Sequence, residues 1–444
     1  MRFGLAVVAV VALALAGAVA ACSAGGDQEA GPTFSPAPRG TVLGVVWQED
    51  DSTLLRRFSR TSLAPSSQAV KLGHNGGAWS FSPDESLVAL AGAAPLEIRI
   101  VDIGRMRLDK VLPLPRDFAR PPEEPAVTSL AWPTERRILA LVEWGAWNHA
   151  LVVIDPFERR IVSRETIEGT LVALARTHDG LALLLAPIGR IGPARLLLIN
   201  SAGDQRSIAL ADVHAGLETI DRQNSVQRLA IPALAVDPAG ARALVVPAAG
   251  VVAEVDLASG RVGYHDVREP ISLLGRLRNW LEPAAEAKTA EGPERQAVWV
   301  GEHLVAVFGQ DTHQLAKGDE RTTPAGLALI DVRRWTKRIL DEHASQFSFS
   351  AGTLLAYGTT WTDATQERGI GLTGYGLDGQ ERFHLFENEP IYFVETAGPY
   401  AYVWRGGQSP VAVDLRSGKV SDQLDRYRGN DLPALVVPGA QLAN

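Results

Sequence analysis

A short phrase recurs along the chain: a few apolar residues, an Asp or Asn, a tight polar turn, then a second extended run. It reads Ile98-Arg99-Ile100-Val101-Asp102, Val152-Val153-Ile154-Asp155, Leu197-Leu198-Ile199-Asn200, Val252-Ala253-Glu254-Val255-Asp256, Ala328-Leu329-Ile330-Asp331 and Val411-Ala412-Val413-Asp414. Repetition at intervals of a few tens of residues marks a repeat architecture, and every unit here has the alternation and β-branched content of strands. A chain of 444 residues would ordinarily divide into two or three domains. Radial repeats escape that expectation, because each unit adds its own layer of core.

A further pair of extended runs precedes each phrase. The clearest is Ala78-Trp79-Ser80-Phe81, a Ser82-Pro83-Asp84-Glu85 turn, then Ser86 to Leu90. Others are Leu130–Trp132 with Ile138–Val142, Val172–Ala175 with Leu181–Leu185, Ala233–Val236 with Ala243–Val246, and Ala297–Val300 with Leu304–Val307. The last two are Gln346–Phe349 with Leu354–Tyr357, and Ile391–Val394 with Ala401–Trp404. Runs joined by Pro-Asp, Asp-Gly or Ala-Gly turns are hairpins. Two hairpins per unit give four-stranded antiparallel sheets around an axis, and near-continuous apolar runs suit strands covered on both faces. The expected fold is all-β, a β-propeller.

The ends bear on closure. Val42–Trp47, Leu54–Phe58 and Gln68–Leu72 supply three strands of a first unit that lacks its innermost strand. The C-terminus offers one strand, within Leu432–Val437. Pairing it with Val42–Trp47 completes the first blade and leaves no open edge. The count is then eight blades, with seven as the alternative.

Phe81-Ser82-Pro83-Asp84 resembles the turn of the WD40, YVTN and TolB-like propeller repeats, with Glu85 where Gly is usual. The stretch from Ser272 to Arg295 and the run Gly326–Asp331 are similar to those of a group of actinobacterial lipoprotein-type propellers. That resemblance implies a fold and a source and brings no activity with it.

The N-terminus carries an address. After Arg2, the segment Phe3–Ala20 is free of charge, and it ends Val19-Ala20-Ala21-Cys22. Small residues following an apolar core are what signal peptidases accept, so cleavage is expected between Ala21 and Cys22. Cys22 at the first mature position resembles the bacterial lipobox, with Val19 replacing the commoner Leu. The resemblance implies that Cys22 is diacylated on sulfur by fatty acids such as palmitate. An uncleaved membrane anchor and a plain secretory signal remain the other two readings. All three place the bulk of the chain outside the cytoplasm, and the lipobox reading places it on the outer face of a bacterial cell membrane. The expected organisation is a signal peptide over 1–21, a lipidated flexible tether over 22–40 and one propeller domain over 41–444. The tether's Gly, Pro, Ala and Ser content gives it too little apolar surface to order itself.

Between Asp256 and Asp331 the repeat is interrupted. Leu273, Leu274, Leu277 and Leu281 fall at helical spacing, with Ser272 as N-cap and Pro283 as terminator. An amphipathic helical insertion is expected over about 268–295. Leu277, Trp280 and Leu281 form its candidate partner surface, and packing on one face of the disc is the plainer alternative.

Chemistry is harder to find. The chain has no G-x-S-x-G elbow, no H-E-x-x-H and no P-loop. Nine His are scattered singly, and the lone cysteine rules out a thiolate zinc site. The docking phrase of quinone-dependent propeller dehydrogenases is only partly copied, at Val255–Gly260 and Val413–Gly418. No metal site or cofactor is expected, and the sequence singles out no catalytic residue. A formal charge of −8 with no basic run gives nucleic acid nothing to bind. The recurrent Asp residues, separated by whole blades, cannot converge on one ion and are expected to hold their own turns.

The expected function is therefore a lipid-anchored, extracytoplasmic, non-catalytic binding or scaffold module for a protein, peptide or envelope polymer. The alternative is a hydrolase, lyase or lactonase with its site in the central channel.

Overall fold

Each of the six Asp- or Asn-ended phrases is the third strand of an antiparallel sheet in the computed structural model of the chain. The structure describes residues 38–437 except 49–51, 116, 119–123, 146–147, 222–225, 268–290, 315–319, 362–366, 406–407, 422–423 and 425–432. The sheets are the blades of an eight-bladed β-propeller.

Blade 1 is made from both ends of the chain, as Ala434–Val436, Thr41–Trp47, Thr53–Ser59 and the first part of Pro65–Phe81. The closing register pairs Leu43 with Val436, Gly44 with Leu435 and Val45 with Ala434. Blade 2 takes the rest of Pro65–Phe81, then Leu87–Ala94, Glu97–Asp102 and Arg107–Pro113. Blade 3 is Ala126–Thr134, Arg137–Trp144, Asn148–Asp155 and Arg160–Ile167. Blade 4 is Thr170–Thr177, Gly180–Ala186, Gly192–Asn200 and the start of Gln205–Asp221. Blade 5 is Ala233–Val236, Arg242–Val246, Val252–Asp256 and Val262–His265. Blade 6 is Glu291–Trp299, Leu304–Gln314, Leu327–Asp331 and Thr336–Asp341. Blade 7 is Gln346–Ser350, Thr353–Trp361, Glu367–Gly376 and Glu381–Leu385, and blade 8 is Ile391–Ala397, Tyr400–Arg405, Val411–Asp414 and Val420–Ser421.

The core is a ring of junctions. Successive residues of a strand point to opposite faces, so each buried strand feeds two interfaces. In blade 3, Ile138, Ala140 and Val142 pack with Ile98 and Ile100 of blade 2. Leu139 and Leu141 between them pack with Leu183 and Leu197 of blade 4. The same division repeats around the disc until Phe58 and Leu435 of blade 1 meet Tyr402 and Ala412 of blade 8. Burial of each such Leu, Ile or Val stabilises by about 1.5–3 kcal/mol, which explains why a polar residue interrupts these runs so rarely.

Several features depart from the sequence expectation. Pro65–Phe81 and Gln205–Asp221 are single strands that serve two sheets. The second of them continues into a hairpin with Val226–Ala230. Leu304–Gln314 outruns its blade and pairs with Glu320–Pro324. The expected helical insertion needs correcting at its C-terminal end. Residues 291–295 lie in the strand Glu291–Trp299, where Glu291 pairs with His313 and Arg295 with Gly309. The overlong neighbouring strand supplies a partner that the polar run at 291–296 does not advertise. The remainder of that expectation falls on 268–290, outside the described residues.

Candidate binding site at one mouth of the channel

In a four-stranded meander the first–second and third–fourth turns share one end of the sheet. The second–third turns and the blade-to-blade connections share the other. The propeller therefore has an Asp-turn face and a crossover face.

On the Asp-turn face the repeated carboxylates are occupied by main chain. Asp155 Oδ1 accepts from the N–H of Phe157 and of Glu158, both at 3.0 Å. Asp414 Oδ1 accepts from Arg416 N at 3.0 Å and Ser417 N at 2.9 Å. Asn200 Oδ1 does the same for Ala202 and Asp204, and Asp331 Oδ1 for Arg333 and Arg334. Burial alone would raise the Asp155 carboxyl; the two N–H donors and the Arg136 and Arg137 guanidiniums outweigh it and hold it below the usual range. A groove of about 450 Å³ lies between blades 4 and 5, beside His178, Asn200 and Arg206. Arg206 there donates to the carbonyls of Leu257 and Ala258. The neighbouring depression holds Arg136, Arg137 and Arg160, all paired with Asp155 or Glu158. Both are seams between blades, with their arginines held by carbonyls or carboxylates.

Two half-buried ionisable groups on the inner strands, Arg176 and Glu395, have displaced pKa values. Burial lowers the Arg176 guanidinium to about 10, and it donates to the carbonyl of Trp79 on another blade's inner strand. Burial raises the Glu395 carboxyl to about 8, and its Oε2 accepts from Leu435 N at 3.2 Å. Each is committed to main chain. Among the described residues no group of three or more His, Cys, Asp or Glu gathers as a metal site would require. The described His side chains are dispersed: His149 is buried, His178 sits in a turn, His265 stacks on Trp335, and His384 bonds Thr373.

The crossover face differs. Three inner strands carry a β-bulge close to their first residues, at Thr128, Val172 and Tyr392, each skipped by the partner strand's register. A bulge re-aims the side chains around it. In blade 8 the register jumps from Ile391–Arg405 to Phe393–Trp404, and both Tyr392 and Phe393 emerge, 54% and 43% exposed. On the same face Trp47, ending the second strand of blade 1, is 57% exposed. Below Tyr392 lies a pocket of about 170 Å³ shared by blades 6, 7 and 8, lined by Gln310, Thr322, Ser345, Gln346 and Thr359 among others. Gly358 also lines it, with φ +128, and a Cβ there would strike the Ser345 hydroxyl. Among the described residues, none that lines it carries a charge.

None of the sequence-predicted site residues is among those the structure describes. Ala21, Cys22, Leu277, Trp280 and Leu281 all lie outside the described residues. Tyr392 and the pocket were not predicted. The only sequence signal was the adjacent aromatic pair Tyr392-Phe393 opening an inner strand.

The fold and this mouth define an eight-bladed β-propeller whose aromatic-edged, uncharged pocket opens on the crossover face. No family model matches the chain, and no curated protein sequence matches it. Among solved structures, dihydro-heme d1 dehydrogenase NirN in complex with DHE aligns with a TM-score of 0.51 at 13% identity, covering 88% of this chain and 74% of that one. The C-terminal WD40 domain of Sif2 aligns at 0.47 and 11% identity, covering 86% and 99%. BamB from Moraxella catarrhalis aligns at 0.44 and 7%, covering 84% and 96%. At 13% identity the first of these likenesses is one of fold alone.

Proposed function

We propose that this propeller is a lipid-anchored, extracytoplasmic module that binds a protein, peptide or envelope polymer without transforming it. The observation that carries the reading is the half-exposed Tyr392 and Phe393 beside a pocket whose described lining residues are all uncharged. General acid–base and nucleophilic chemistry need a titratable or activated group within reach of the substrate. The described lining offers amides, hydroxyls and a ring, with no carboxylate, imidazole or amine among them to activate a hydroxyl.

The anchor rests on Val19-Ala20-Ala21-Cys22 after an uncharged apolar run. Two acyl chains give stable attachment where one is marginal. The chain enters blade 1 at the Asp-turn face, where Gly40 O accepts from Arg60 N at 2.9 Å.

The test has two parts. Cells grown with labelled palmitate are fractionated; the full chain carries label and sediments with membranes, and Cys22→Ser loses both. Crosslinking from those membranes then recovers a partner through the crossover face. A Cys22→Ser protein that still carries label overturns the anchor. Turnover of an ester or lactone panel by purified chain overturns the non-catalytic reading.

A further inference from the structure

We infer that the pocket under Tyr392 receives a single neutral saccharide ring of a longer glycan, a ligand class that rests on the binding-module reading and narrows it.

The chemistry of the lining selects this occupant. A pyranose presents hydroxyls, each both donor and acceptor, around its rim and a C–H face above and below. Hydroxyls need partners that also donate and accept, which Ser, Thr and Gln side chains do. Ser345, Gln346, Thr322 and Thr359 line the pocket, and their side chains have no hydrogen-bond partner among the described residues. Gln310 adds an amide whose Nε2 lies 3.5 Å from Glu294 Oε2. A carboxylate or guanidinium would favour an acidic or basic ligand, and the described lining residues include neither. The C–H face needs an apolar platform with a polar tip, the role a half-exposed Tyr fills. The bulge at Tyr392 supplies it at the pocket's edge.

Size agrees. Drug-sized ligands occupy roughly 300–1,000 Å³. A pocket of about 170 Å³ is smaller than that range and suits one ring. The pocket lies on the crossover face, where Phe393, next to Tyr392, is also exposed and can meet a neighbouring sugar. An extended peptide would instead want an unpaired strand edge with alternating side-chain pockets. Here Gln310 lies on a strand already paired on both sides, with Glu294 and with Pro324.

The experiment uses the full chain in a non-glycosidic detergent, titrated by calorimetry and saturation-transfer NMR with maltotetraose, cellotetraose, xylotetraose and α-1,6-mannotetraose. At least one binds saturably. Tyr392→Ala weakens it by at least about tenfold, Tyr392→Phe keeps it within about twofold, and Gln346→Ala weakens it by about threefold or more. Phe157→Ala, on the Asp-turn face, changes nothing. Thermal melts matching wild type establish that Tyr392→Ala is folded, and Gln346→Ala provides the second reading if it is not. The inference is overturned if none of the four binds saturably, or if Tyr392→Ala leaves binding unchanged. It also fails if random decapeptides bind in a Tyr392-dependent way while the sugars do not. In that last case the binding-module reading stands and only the ligand class falls.

Discussion

Val45, in the chain's first strand, pairs with Ala434, in its last. Only three residues form that last strand, so closure draws on side chains as well as the ladder. Leu435 packs among Val42, Phe58 and Tyr402, and Val436 among Leu43 and Val45. The Tyr402 hydroxyl donates to Arg60 O, tying blade 8 to the outer turn of blade 1. The edge N–H of Leu435 is taken by the Glu395 carboxyl.

Deleting residues 433–444 removes two fully buried apolar side chains and exposes the inner edge of Thr41–Trp47. At about 1.5–3 kcal/mol for each side chain, the loss is roughly 3–6 kcal/mol. Urea denaturation read by tryptophan fluorescence measures it. Gly44→Val acts at the same place, because a Cβ on Gly44 would lie 2.8 Å from Pro433 Cβ and 2.9 Å from Phe58 Cε2. It lowers the midpoint in the same direction. A deletion that leaves the midpoint unchanged removes closure from the stability of the fold.

Glu395 makes stability depend on pH. Its carboxyl is pushed by burial from 4.5 up to about 8, with the Leu435 N–H pulling weakly the other way. Between those values the folded chain keeps a proton that the unfolded chain releases. Its stabilising contribution is complete below pH 4.5 and is lost as pH rises through 8. Wild type is therefore less stable at pH 9 than at pH 5 by an amount on the order of 3 kcal/mol from this group. Glu395→Gln keeps an acceptor for Leu435, carries no proton to lose and flattens the profile over that window. Urea midpoints at pH 5, 7 and 9, compared between the two proteins, read the difference directly.

The frame was legible in the sequence, and the mouth was not. Strands such as Ile138–Val142 must bury alternate residues in two different junctions, so both registers are apolar and the run is unmistakable. The incomplete first unit and the solitary C-terminal strand fit together for a reason visible without coordinates, since an open propeller would leave an edge. The Tyr392 pocket depends on register. Strict alternation would bury one of Tyr392 and Phe393, and only the skip between Arg405 and Trp404 exposes both. Its other walls, Gln310 and Gln346, are polar residues on separate blades with no local pattern to join them. The start of Glu291–Trp299 was hidden in the same way, because its polar half is held by the unusually long strand beside it.

The Asp turns are structural, and Asp155 tests this. It is buried and accepts two main-chain N–H bonds, with Arg137 Nη1 3.3 Å from its Oδ2. Asp155→Ala leaves those donors unmet and costs about 2 kcal/mol. Asp155→Asn keeps the acceptor, as Asn200 does in blade 4, and costs about half as much. The Asp155 carboxyl is held low, so its contribution is present above about pH 4 and is lost on further acidification. Melting temperatures with and without EDTA are expected to coincide for all three proteins. A melting temperature that EDTA lowers in wild type alone would assign Asp155 to a metal instead.

Glu85 occupies a backbone conformation suited to glycine. Its φ is +57°, in the turn where Asp84 accepts from Ser82 Oγ and Ser86 Oγ, both at 2.6 Å. The turn is pinned by these side chains, so it persists although residue 85 bears a Cβ. The left-handed region costs a residue with a side chain about 1–2 kcal/mol, and glycine gives back part of that gain as unfolded-state entropy. Glu85→Gly therefore stabilises by about 0.5 kcal/mol, while Glu85→Val, β-branched and held at the same φ, destabilises by about 1 kcal/mol or more. The two substitutions remove the same exposed charge, so opposite signs isolate the backbone. Paired urea melts decide it, and two shifts of the same sign would place the effect in the lost carboxylate.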